Sequence, residues 1–135
     1  REMMEKHQGE FLAAFKVVER THNILKPVGP KERNEMGRVR PDLFQSEIEK
    51  NIWNLYNQEK DSVAELIRQG EWAQATARYG GLFSELLHRF FEEVMVNAED
   101  PSVRRNRLAL MREINELYTR SVADLSKLIL QTKED

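Results

Sequence analysis

Phe90-Phe91-Glu92-Glu93-Val94-Met95-Val96-Asn97-Ala98-Glu99-Asp100-Pro101-Ser102-Val103-Arg104-Arg105-Asn106-Arg107-Leu108-Ala109-Leu110 joins an apolar helix end to an arginine-rich helix start. A helical pattern runs to Met95 and fails near Asn97. Pro101, which lacks an amide proton, fits the first position of a new helix. That helix opens with Arg104, Arg105 and Arg107 and no carboxylate of its own to neutralise them. The macrodipole disfavours cations in a first turn by roughly a few tenths of a kcal/mol. A phosphate or base edge bound at the positive helix end would offset this. The expectation is an anion-facing surface on a packed scaffold, with a solvated positive face as the open alternative.

Working outward, no stretch shows β-branched alternation, whereas helical periodicity recurs in four or five places. The fold class expected is all-α, an antiparallel bundle of four to five helices. A first helix is read from Glu10 to Lys26, with Phe11, Ala14, Phe15, Val18, His22 and Leu25 facing inward and Pro27 as its stop. Residues 27–41, with three prolines and Lys31, Arg33, Arg38 and Arg40, read as a long basic loop. Asp42 is the expected N-cap of a second helix reaching Gln69, stopped by Gly70. A short helix over Glu71 to Tyr79 is expected to break or kink at Gly80-Gly81, because glycine costs about 1 kcal/mol in a helix interior. After Pro101 the last helix carries Val103, Leu110, Met111, Ile114, Leu117, Tyr118, Val122, Leu125, Leu128 and Ile129 inward. The domain is placed at 10–130, preceded by a disordered or vector-derived lead at 1–9 and followed by a polar tail at 131–135.

Composition narrows the function. With 135 residues, 40% hydrophobic and 33% charged, the chain fits one domain with a modest core. Its net charge of −2 argues against a general nucleic-acid binder, so any such site must be local. The absence of cysteine removes disulfides and thiolate metal sites, which suits a cytoplasmic setting. His7, His22 and His88 are too scattered for a metal set, so no metal is expected. No apolar run reaches the roughly 20 residues of a membrane span. Nucleophile elbows, phosphate-binding glycine loops and dinucleotide fingerprints are all missing from the sequence, so no catalytic residue is assigned. Beginning at Arg1, the chain reads as a piece of a longer protein.

Individual residues carry competing readings. Arg107 projects toward the core beside Val103, which favours a structural ion pair with Glu93 or Asp100 over ligand contact. Lys16, Arg20, Asn23 and Lys26 form one polar side of the first helix, either an ordinary solvated face or a set that meets phosphates and bases. Phe83, Phe90, Phe91 and Tyr118 fall at core spacing. Trp53 and Trp72 are either partly buried or available to stack an unpaired base. His22 reads as a core histidine, whereas His88 faces solvent or ligand.

Taken together, several of these stretches resemble the C-terminal, DALR-type anticodon-binding domain of the glycyl-tRNA synthetase beta subunit. The shared features are Arg20 with Asn23-Ile24-Leu25, Phe90 to Val96, Glu99-Asp100, Arg104 to Leu110, and Ala123-Asp124-Leu125-Ser126. They cover about residues 11–130. Gly80-Gly81, Glu19 and His22 depart from the family pattern.

The resemblance implies a module without catalytic residues inside a glycine-tRNA ligase. Its partners would be tRNA-Gly, the alpha subunit and the rest of the beta subunit, with neither membrane nor DNA. The module itself would need no cofactor, the whole enzyme using ATP and Mg. Glycine anticodons end in two cytosines, whose edges call for a carboxylate or carbonyl beside Arg, Lys or Asn. Arg20, Asn23, Arg104 and Arg105 are expected on bases or backbone, Lys16, Lys26, Arg38 and Arg40 on phosphates, and Asn106 and Arg107 shaping the pocket. The alternatives are a helical protein-interaction or subunit-docking domain, or the anticodon domain of arginyl-tRNA synthetase.

Overall fold

The computed structural model describes the backbone of residues 2–96 and 98–134, and the side-chain surroundings of residues 11–96 and 98–120. Among them are five α-helices: α1 (Glu2–Leu25), α2 (Pro30–Met36), α3 (Glu47–Arg68), α4 (Trp72–Glu93) and α5 (Pro101–Glu134). A 3-10 turn occupies Pro41–Leu43, and no strand occurs among the described residues. The all-α expectation holds.

Helices α3, α4 and α5 follow one another through short connections and run antiparallel. Thr76 meets Tyr118 and Tyr79 meets Ile114, while Met95, just beyond the far end of α4, meets Arg107. Helix α1 lies beside α4 in the same direction, Ala13 near Gly80 and Arg20 near His88. The chain between α1 and α3 therefore crosses one end of the bundle, where α2 and the 3-10 turn rest on the start of α5.

Tyr79, Phe83, Leu87 and Phe90 project from one face of α4 into a core shared with Ile52 and Ile67 of α3, Leu110 and Ile114 of α5 and Val17 of α1. Each large apolar side chain so buried contributes about 1.5–3 kcal/mol. The Tyr79 hydroxyl is satisfied by donating to the Ile114 carbonyl at 2.7 Å, and its ring stacks on Tyr118 at 4.9 Å between centroids.

Several expectations are corrected. Helix α4 runs through Gly80-Gly81 without a break. Tyr79 and Phe83, one helical turn apart and both fully buried, hold the segment helical against the cost of the two glycines. The second helix starts later than Asp42, which lies in the 3-10 turn. Ser46 caps it, accepting from the Glu49 amide, and the Glu49 carboxylate accepts in return from the Ser46 hydroxyl and the Gln45 amide. The basic loop contains α2, pinned by buried Val28, Met36 and Val39. There Arg33 donates to the Leu25 and Val28 carbonyls at the end of α1, a favourable place for a cation.

On α1 the buried stripe is Ala14, Val17, Thr21 and Leu25, so the helix is rotated from the expected face. Phe15 is 64% exposed, and His22 lies at the surface instead of in the core. Buried Thr21 fixes this rotation, donating to the Val17 carbonyl and accepting from Asn115 of α5. The expected inward side chains Val122, Leu125, Leu128 and Ile129, and those of the lead and tail, lie outside the described residues.

Candidate nucleic-acid interface

The arginines at the start of α5 do not stand unneutralised. The Arg104 guanidinium pairs with Glu32 at 2.5 Å and Arg105 with Glu35 at 3.1 Å, both carboxylates supplied by α2. Arg107 is buried and pairs with Glu49 of α3 at 3.3 Å while donating to the Met95 carbonyl at 2.5 Å. Its partner is thus neither Glu93 nor Asp100. Asp100 instead caps α5, accepting from the Ser102 and Val103 amides.

These contacts come from residues far away in sequence, which is why the sequence suggests an unneutralised cluster. The partly exposed pairs contribute about 0–1 kcal/mol each. Their larger effect is to seat α2 against α5. Next to them, buried Asn106 grips the backbone of Arg40. Its Oδ1 accepts from the Arg40 amide at 2.6 Å, and its Nδ2 donates to the Arg40 carbonyl at 2.9 Å. Arg40 also pairs with Asp42 at 3.1 Å, and Arg38, Arg40 and Arg105 line a small cleft of about 110 Å³.

A larger opening lies elsewhere, along the seam of α1 and α4. One compartment of about 470 Å³ is lined by Arg20, Asn23, Ile24, His88, Phe91 and Glu92. It adjoins a second of about 370 Å³, which shares Arg20 and His88 and adds Lys16, Gly80, Gly81, Ser84 and Glu85. The sequence-selected residues Lys16, Arg20 and Asn23 therefore converge on one trough. Arg20 has no carboxylate partner among the described residues. It donates to His88 Nδ1 at 3.4 Å, and His88 Nε2 lies 3.1 Å from Glu92.

Sequence reading leaves out the Glu92 and Phe91 contribution. Phe91 is expected in the core, but it is only half-buried and forms part of the trough wall. The available signal is His88, which stands off the main apolar stripe of α4 and so marks the side that faces α1. Trp53 and Trp72 are half-buried, Trp53 stacking on Tyr56 at 5.3 Å. Lys26 is exposed at the end of α1. Among the described residues no group of three His, Asp or Glu is arranged to hold a metal ion, and no helix is long and apolar enough to cross a membrane.

Residues 16–122 match the DALR anticodon binding domain family. Among curated proteins the chain is similar to the glycine-tRNA ligase beta subunit of Thermodesulfovibrio yellowstonii, 34% identical over 119 residues, 88% of this chain and 16% of that protein. It is 35% identical over 115 residues to that of Dichelobacter nodosus, covering 85% and 16%, and 40% identical over 90 residues to that of Trichlorobacter lovleyi, covering 67% and 13%. The chain thus spans about a sixth or less of the length of these relatives. No solved structure matches it. With the matched segment running from α1 into α5 and enclosing nearly all of the described core, the chain belongs to the DALR anticodon binding domain family.

Proposed function

We propose that this chain is the tRNA anticodon stem-loop binding module of a glycine-tRNA ligase beta subunit. It would position tRNA-Gly for an ATP- and Mg-dependent glycylation carried out elsewhere in a cytoplasmic complex with the alpha subunit. The observation that carries this reading is the convergence of Lys16, Arg20 and Asn23 on the α1–α4 trough in a chain of this family. An exposed guanidinium without a carboxylate partner can meet a phosphate or a base edge at little desolvation cost.

Lys26, Arg38 and Arg40 would then hold flanking phosphates from the bundle end. Arg104 and Arg105, tied to Glu32 and Glu35, would act through the placement of α2 and the segment bearing Arg38 and Arg40. Asn106 and Arg107 would fix the same geometry from below. The chain itself supplies no catalytic group in this reading.

The test is binding of labelled tRNA-Gly to the chain across a salt series, with tRNA-Arg as competitor. The expected affinity falls as salt rises, since displaced counterions accompany phosphate contacts, and tRNA-Arg competes poorly. Undetectable binding at low salt sinks the reading. Equal competition by tRNA-Arg would favour an arginine-type anticodon module instead. A subunit-docking role draws support from the exposed Phe11, Leu12 and Phe15 of α1. It would be favoured if tRNA fails to bind while a purified synthetase lacking this segment does.

A further inference from the structure

The geometry points to the Arg20–Asn23–Glu92 compartment as a reader of a single unpaired cytosine, with Glu92 as the residue that distinguishes cytosine from uracil. This rests on the reading that the chain holds an RNA loop, and adds to it a subsite and a base.

A site built only to hold phosphate would be lined by cations. Here one wall offers donors, Arg20 and Asn23 of α1, and the other offers the Glu92 carboxylate of α4, with Ile24 and Phe91 as apolar lining. Cytosine presents an amino donor beside two acceptors along its pairing edge. Uracil presents an acceptor, a donor and an acceptor. A carboxylate, which can only accept, matches the cytosine amino group and repels the uracil oxygen at the same place. The two α1 donors match the remaining cytosine acceptors.

These polar groups are also available. The Asn23 amide makes no side-chain hydrogen bond among the described residues, and Arg20 is engaged only weakly, by the His88 ring at 3.4 Å. Glu92 engages His88 through Oε1 at 3.1 Å, leaving Oε2 for a ligand. His88 thereby stands between the donor wall and the acceptor wall, and Arg20 and Glu92 form no ion pair with each other among the described residues.

There is room, too, for the rest of a nucleotide. The compartment opens into the space above Gly80-Gly81, where a Cβ built on Gly81 meets nothing within 4 Å. The ribose and phosphate can lie there against the helix backbone, within the compartment that Lys16 also lines. A half-buried Phe91 ring gives the base an apolar surface, as unpaired bases commonly find.

The experiment measures, by fluorescence anisotropy, binding of the chain to RNA hairpins bearing a glycine anticodon loop. Companion hairpins carry uracil in place of either cytosine. The parent chain is expected to prefer cytosine over uracil at one position on the order of tenfold. Glu92→Gln keeps an acceptor for His88 and adds an amide donor that uracil can use. It should shrink the preference to about twofold or less while leaving the salt dependence unchanged. Circular dichroism verifies that the variant is folded, and Asp61→Asn, on the far side of the bundle, serves as the charge control. An undiminished preference in Glu92→Gln, or none in the parent chain, overturns the subsite while hairpin binding stands. Failure of every hairpin to bind at low salt overturns the RNA reading and the subsite with it.

Discussion

Among single residues, Glu49 does two jobs at once. It completes the cap of α3 and neutralises Arg107 of α5, so the start of one helix is tied to the start of another. The pair is not fully satisfied, since Glu49 Oε2 and Arg107 Nε lack hydrogen-bond partners among the described residues. Removing one member should therefore cost more than the pair is worth, because a buried charge is left alone. We expect Arg107→Ala to destabilise the chain by about 3–5 kcal/mol in urea unfolding. The double variant Arg107→Met with Glu49→Leu should recover much of that loss. A loss below about 1 kcal/mol in the single variant would mean that the pair is solvated in solution.

Tyr79 makes its contribution through burial. Its surroundings, reinforced by Tyr118, hold its hydroxyl far above the usual tyrosine range, and Tyr56 is pushed up to about 12, mainly by burial and then by the Glu113 charge. In the unfolded chain both ionise near pH 10, to within about a unit. The unfolded chain therefore loses protons first as pH rises, so the stabilisation is whole below that value and declines above it. Between about pH 10 and 12, the unfolding midpoint should fall more steeply in the parent chain than in Tyr79→Phe. Each such tyrosine steepens the decline by up to about 1.4 kcal/mol per pH unit. Parallel declines in the two proteins would show that Tyr79 is accessible to ionisation while folded.

Among the helices, the glycines separate what sequence can foresee from what it cannot. Gly70, with φ of 81°, ends α3 as expected, the Gly70 amide donating to Ile67 and the Glu71 amide to Leu66. Gly70→Ala should destabilise by about 1–2 kcal/mol in thermal or urea unfolding, the strain of a left-handed alanine. Gly81 carries the opposite expectation. It is exposed within a continuous helix with open space around its Cβ position, so Gly81→Ala should stabilise by about 0.5–1 kcal/mol. A neutral or destabilising result would indicate that α4 is kinked there after all. Local glycine cost suggests the break. The packing that abolishes it, Tyr79 and Phe83 set in a core made by three other helices, lies outside any short window of sequence. Helix α1 behaves likewise, since it carries two neighbouring apolar stripes and contacts with other helices, the Thr21–Asn115 hydrogen bond among them, decide which is buried. By contrast, the Asp100-Pro101 start of α5 is legible because its determinants are adjacent in the chain.

For the whole molecule, folding redistributes charge in a way that periodicity alone cannot reveal. The arginines most conspicuous in sequence are drawn into pairs with α2 and α3, while Arg20, less conspicuous, is left facing the trough with Lys16 and Asn23. The candidate residues of α1 are readable as one helix side. Their counterparts His88, Phe91 and Glu92 require knowing that α4 lies parallel to α1. RNA recognition is thereby centred, in the proposed function, on the α1–α4 trough, while the start of α5 organises the bundle end. The sharpest comparison is between the tRNA-Gly affinities of Arg20→Ala and of the double variant Arg104→Ala, Arg105→Ala at one moderate salt concentration, with folding checked in both. We expect a loss on the order of tenfold or more for Arg20→Ala and a loss within about threefold for the double variant. The reverse order would refute a trough-centred interface and return recognition to the start of α5.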